Sequence, residues 1–206
     1  MTISLTGAAA CTPGQLPVPL ASVLASGATS SDAEPTTGPM SDAIVADAVS
    51  ALGALRTGDS SALSAALDPL ATEVGARAGI DPTELVRVWR ATDGTRMTAV
   101  LSALSQVGVN YRYAAASPGK AFDCSGLVSW AWSQAGVALP AQSKQMINTT
   151  VKKDLAAALP GDVFWYPGHV SLALGVGEAF VHAPYRGRTI EVRAASSRRV
   201  VVGTPV

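Results

Sequence analysis

The chain has 206 residues, with 15 lysines and arginines against 15 aspartates and glutamates, so its formal net charge is zero. That balance leaves no electrostatic footprint for nucleic acid, and no apolar run is long enough to span a bilayer. The length allows one ordinary domain plus a smaller appendage, and the two cysteines, Cys11 and Cys124, make no disulfide framework.

Residues 1–40 carry no charge before Asp32 and are rich in Ala, Ser, Thr, Gly and Pro. They are expected to be a disordered or processed segment, with Cys11 in a flexible tail. The start has no Lys or Arg to serve as the positive region of a secretory leader.

Residues 41–92 read as a small helical region of three or four short helices. Ile44, Ala48, Leu52 and Leu55 share one helical face after Ser41 and Asp42, which can cap it. A second helical stretch runs through Leu63 and Leu67 and is expected to end or restart at Asp68-Pro69. Asp81-Pro82-Thr83-Glu84 supplies a cap, a proline at the first helical position and a glutamate placed for a capping box. Leu85, Val88 and Trp89 then face inward. Nothing in this region carries chemistry, and a packing or spacer role is expected.

Residues 93–206 read as a second unit. Met97, Val100, Leu101, Leu104 and Val107 give its first helix, and a short helix is expected near Gln142 to Asn148. Strands follow at Val163 to Tyr166, His169 to Leu174, Ala179 to Ala183, Thr189 to Arg193 and Val200 to Val202. Helices first and consecutive hairpin strands afterwards point to an α+β fold with an antiparallel sheet.

The chemistry centres on Asp123-Cys124-Ser125-Gly126-Leu127-Val128. A loop from Ala114 to Phe122 leads into it, and Leu127, Val128, Ala131 and Trp132 follow at helical spacing. Cys124 is therefore expected at a helix start, with Asp123 as the N-cap. There the unpaired N–H groups and the positive end of the helix dipole favour a thiolate, and such sites bring a thiol pKa down to roughly 3.5–7.5. A buried structural cysteine would also fit this motif taken alone.

The only histidines, His169 and His182, both follow the cysteine on strand-like segments. Two adjacent antiparallel strands would set the imidazoles side by side against the helix start, one as base and one to orient it. Cys124, His169 and His182 are also a chemically reasonable zinc set. However, structural zinc wants four ligands and no CxxC or HxxxH pair exists, which leaves a catalytic zinc with these three ligands as the metal alternative. The arginines 186, 188, 193, 198 and 199 read as a solvated strand face, with attraction of anionic polymer as the alternative.

Over residues 96 to 202 the chain resembles the NlpC/P60 family of cell-wall cysteine peptidases. The resemblance rests on Tyr111-Arg112-Tyr113, on Phe122 through Val128, and on Gly136-Val137-Ala138-Leu139-Pro140 with Ser143 and Gln145 beyond it. It continues in Pro160-Gly161-Asp162-Val163-Phe164-Trp165, in His169 through Gly175, and in Val181-His182-Ala183-Pro184. The chain departs from the family pattern at Ala114 and Ala115, where the family has paired glycines. It departs again at the short Tyr166-Pro167-Gly168 connection and at Ala173 in place of an aromatic.

The resemblance implies a papain-like core with the cysteine helix packed on the sheet. It also implies Cys124 as nucleophile, His169 as general base, His182 as the orienting third member and Tyr111 as support for the reacting centre. Asp123 and Ser125 match cleft-lining positions that bind substrate. The implied substrate is a peptidoglycan stem peptide, cut between D-γ-glutamate and the diamino acid after it, often meso-diaminopimelate. No metal or organic cofactor is needed. The protein is expected to be a secreted or wall-associated monomer, an inference from its substrate class. A cysteine amidase or acyltransferase on another acyl donor, or a non-catalytic wall-binding module, remain the alternatives.

Overall fold

The computed structural model describes residues 42–194 and 200–206. The segment 1–40, Cys11, Ser41, Arg198 and Arg199 lie outside the described residues. Three helices come first: α1 (Ala43–Thr57), α2 (Ser60–Ala78) and α3 (Pro82–Arg90). Each starts on an aspartate. Asp42, Asp59 and Asp81 accept from the N–H of Ile44, Ala62 and Thr83, satisfying donors that a helix start leaves open. Glycines in the left-handed region, Gly58 and Gly79, close α1 and α2.

Two local expectations for this region fail. α2 does not stop at Asp68-Pro69 but runs through Pro69 to Ala78. Pro69 sits on the exposed face, where water can serve the carbonyl it leaves unbonded. Leu67, Leu70, Ala71 and Val74 are buried on the other side, and their packing outweighs the proline's cost of about 3 kcal/mol. Glu84, placed for a capping box, instead forks onto Arg87.

Helix α4 (Gly94–Leu104), capped by Asp93, lies in the interior: Met97 and all residues from Ala99 to Leu104 are buried. Its core is continuous with that of α1–α3, and the same apolar cluster reaches the sheet. Trp89 of α3 ties the two regions directly, its indole N–H donating to the carbonyl of Leu174 at 2.9 Å.

A two-rung ribbon follows, β1 (Ala116–Ser117) with β2 (Ala121–Phe122), and leads into α5 (Cys124–Gln134) and then α6 (Ser143–Asn148). The six remaining strands are β3 (Val151–Lys153), β4 (Val163–Tyr166), β5 (His169–Ala173), β6 (Ala179–His182), β7 (Glu191–Ala194) and β8 (Val201–Thr204). They form one sheet in the order β3-β8-β4-β5-β6-β7, antiparallel at every pairing. This is the α+β architecture expected from the order of elements. The ribbon and β3 were not expected.

Strand alternation gives the sheet two distinct faces. Val163, Val170, Leu172, Val181 and Val192 face the helices and join the main core. Phe164, Ala173, Phe180 and Val202 form a separate small cluster on the opposite face. His169 and His182 share the parity of that second face.

The sheet and α4 are joined by a buried charge network. Asp162, fully removed from solvent, accepts from Arg96 of α4 at 2.9 Å and pairs with Lys153 of β3 at 3.0 Å. It also accepts from the Leu159 N–H and from the Thr204 hydroxyl of β8.

Candidate active site

Cys124 is the first residue of α5, as expected, and Asp123 is its cap. Asp123 Oδ1 accepts from the Gly126 N–H at 2.6 Å, while Oδ2 accepts from the Ala114 N–H at 2.7 Å. One carboxylate therefore fixes both the helix start and the loop before it. In that loop Ala114 has φ of 55°, a left-handed conformation costing alanine about 1–2 kcal/mol. The Asp123 bond to its N–H holds it there.

Asp123 and Ser125 are both buried, and their polar atoms point into the protein. The Ser125 hydroxyl shares its one proton between Asp123 and the carbonyl of Ala141.

Behind Cys124, the two histidines are brought together. The β4–β5 hairpin turns at Pro167-Gly168, pairing Tyr166 with His169, and Gly168 takes the φ of 84° that such a turn demands. β6 then returns beside β5, and His169 Nε2 lies 2.8 Å from His182 Nδ1 with the rings edge to face. Tyr166 and Phe180 flank the pair, with ring centroids 5.0 Å from His169 and 4.8 Å from His182 respectively. Both histidines are buried.

The last rungs of the β5–β6 ladder are Leu172–Val181 and Ala173–Phe180. The Val170 N–H lies beyond them and faces the Cys124 sulfur. The sulfur thus lies beside the start of β5, where Val170 follows His169 in the chain.

The thiol differs from expectation. Burial pushes the Cys124 pKa above its ordinary value and the Asp123 carboxylate adds to that; the N–H groups of Val170, Ser125 and Cys124 oppose it without prevailing. The helix start does favour the thiolate, but desolvation of a small anion wins.

Tyr111 is joined to the site by a bridge to Phe122 and by its N–H, which donates to Arg188 at 2.8 Å. Burial raises its phenol pKa, as do the neighbouring Cys124 and Asp123, while Arg186 acts the other way. The phenol therefore belongs to the neighbourhood of the sulfur.

On the second face of the sheet a cavity of about 570 Å³ opens beside the histidines. Every residue lining it comes from β4 onward, including His169, His182, Tyr185, Arg188, Glu191 and Arg193, and none comes from α1–α3. Glu191 was not singled out in the sequence. It pairs with His182 across β6–β7, and its carboxylate reaches the far side of that ring. Among the described residues, no three His, Cys, Asp or Glu side chains converge to hold a metal ion.

A loop-capped cysteine helix set against a strand histidine is the arrangement the resemblance implies, and the model of the NlpC/P60 family matches residues 108–201. That segment belongs to the NlpC/P60 family. A probable endopeptidase of Mycobacterium tuberculosis is 39% identical over 102 residues, covering 48% of this chain and 26% of that protein. The bifunctional muramidase/DL-endopeptidase CwlT of Bacillus subtilis is 32% identical over 91 residues, 40% of this chain and 28% of that protein. The chain thus spans about a quarter of the length of these curated relatives. In fold, the NlpC/P60 segment and its surroundings resemble a mutated form of the resuscitation promoting factor interacting protein RipA. That structure has a TM-score of 0.50 at 23% identity, covering 58% of this chain and 64% of that one. Among the described residues, no helix is long and apolar enough to cross a membrane.

Proposed function

We propose that this chain is a cysteine endopeptidase that hydrolyses peptidoglycan stem peptides. The bond cut is the one between D-γ-glutamate and the diamino acid that follows. The observation that carries the reading is that the Cys124 sulfur faces the Val170 N–H, next in the chain to His169, whose ring pairs with His182. The endopeptidase relatives, one of them a DL-endopeptidase by name, support the choice of substrate and bond.

Activation of the thiol accompanies attack. His169 takes the Cys124 proton as the sulfur bonds to the amide carbonyl carbon, and the oxyanion that forms accepts from the Cys124 N–H. Collapse breaks the C–N bond, with His169 returning the proton to the leaving amine. A water molecule, giving its proton to His169, then attacks the thioester. The C–S bond breaks and the proton returns to sulfur. His182 orients His169, and Tyr111 supports the reacting centre. Asp123 and Ser125 border the cleft and hold its shape through the bonds they make inward. Secretion or wall association, and action as a monomer, go with this reading.

Mass spectrometry of defined muropeptides, incubated with the protein and with Cys124→Ala, tests it. A cut after D-γ-glutamate that requires Cys124 is the expected result. A wall-binding module is the second reading, in line with the burial of Cys124 pushing its thiol up. Intact muropeptides together with a thiol inert to iodoacetamide at neutral pH would establish that second reading.

A further inference from the structure

The Glu191 carboxylate stands behind His182, with Oε1 3.4 Å from His182 Nε2. It is held there from two sides. Arg193 Nε donates to Oε1 at 2.7 Å, and Arg188 grips Oε2. Burial pulls the Glu191 pKa up, but the hydrogen bonds and charges of the two arginines outweigh it and keep the group below its ordinary range. The result is a fixed anion at the end of a row that runs from His169 through His182.

We propose that Glu191 is a positioning residue that sets the tautomers of both imidazoles, leaving His169 Nδ1 as the nitrogen that takes the Cys124 proton. The proposal deepens the catalytic reading above and rests on it. An ionised carboxylate can only accept, so His182 must present Nε2–H to Glu191. In a neutral ring that leaves His182 Nδ1 as an acceptor. The partner of that nitrogen, at 2.8 Å, is His169 Nε2, which must then carry the proton. The lone pair of His169 is left on Nδ1. The opposite tautomer of His182 would aim a lone pair at the Glu191 charge.

The scheme needs His182 neutral at working pH. Burial, the largest influence, lowers its pKa; Glu191 opposes this, and Arg193 and Arg188 reinforce it. One acidic side chain, fixed by register across β6–β7, thus determines which nitrogen two residues away acts as base.

The chain has only two histidines, so long-range ¹H–¹⁵N correlation on labelled protein reads both tautomers without overlap. At pH 7.5 the unaltered protein should show Nε2–H on both rings. Glu191→Ala should turn His182 into a mixture of tautomers and lower kcat about 10- to 100-fold with little change in KM. Glu191→Gln should recover most of the Nε2–H signal, because an amide oxygen at Oε1 can still accept from His182. Nδ1–H on His182 in the unaltered protein, or unchanged tautomers in Glu191→Ala, would overturn the proposal. The tautomer readout needs no substrate. A protein that leaves all muropeptides intact but shows Glu191-dependent tautomers would sink the assigned activity and support this inference.

Discussion

Gly126 and Ala115 touch so closely that no side chain fits between them: a Cβ on Gly126 would stand 2.1 Å from the Ala115 carbonyl oxygen. That oxygen also accepts from the Asp123 N–H at 2.8 Å, so the loop and the first turn of α5 are locked backbone to backbone. Gly126→Ala must therefore move main chain, not a flexible side-chain tip. The expected loss is about 3 kcal/mol or more, with activity lost as well because Cys124 sits in the displaced turn. Urea denaturation monitored alongside muropeptide cleavage checks both; a stable and active variant would show the loop to be looser than described.

The opposite experiment is available at Ala114. Its left-handed φ of 55° suits glycine better than alanine, while glycine costs more entropy in the unfolded chain. Ala114→Gly should raise stability by about 0.5–1 kcal/mol and leave the Asp123 bond to its N–H in place. A drop in the urea midpoint would mean that the loop relieves its strain in another way.

Asp162 poses a larger energetic question. It is fully buried with Arg96 and Lys153 as ionic partners, and Arg96 is itself only 14% exposed. Asp162→Asn keeps the shape but leaves two cations around a neutral amide. Breaking a buried pair from one side costs about 3–5 kcal/mol, and α4, β3 and β8 all meet here. Thermal unfolding should shift down by many degrees, and a shift within error would contradict the network's importance.

Much of this could be read from the chain, and the exceptions have physical reasons. The alternation His169-Val170-Ser171-Leu172 marked a strand because one face meets the helices, and the two histidines fell on the other by parity. Asp123 as cap of the cysteine helix was equally legible, since capping is local. β3 was not, because Val151-Lys152-Lys153 is a short polar edge strand whose pairing partner, β8, lies about fifty residues on. Pro69 misled because its exposure on the helix surface depends on tertiary packing. The direction of the Cys124 pKa misled because a helix start is visible in sequence and the depth of its burial is not. Glu191 escaped notice because its relation to His182 exists only through the β6–β7 register.

That same pair governs how stability should vary with pH. Burial lowers the His182 pKa beneath its ordinary 6.5, so the unfolded chain binds more protons there than the folded one. Stability therefore rises with pH across that window and falls as pH drops below about 6.5. Glu191 acts lower down. Its folded pKa lies below 4.5, so its contribution is present above that value and disappears as pH falls through the folded one. Urea midpoints at pH 7.5, 5.5 and 4 should decline in sequence. His182→Gln should flatten the first interval, since it removes the titrating ring and leaves Glu191 between its arginines. Equal midpoints at pH 7.5 and 5.5 in the unaltered protein would show that His182 is accessible enough to be protonated in place, and the neutral relay from Glu191 to Cys124 would then have no basis at acid pH.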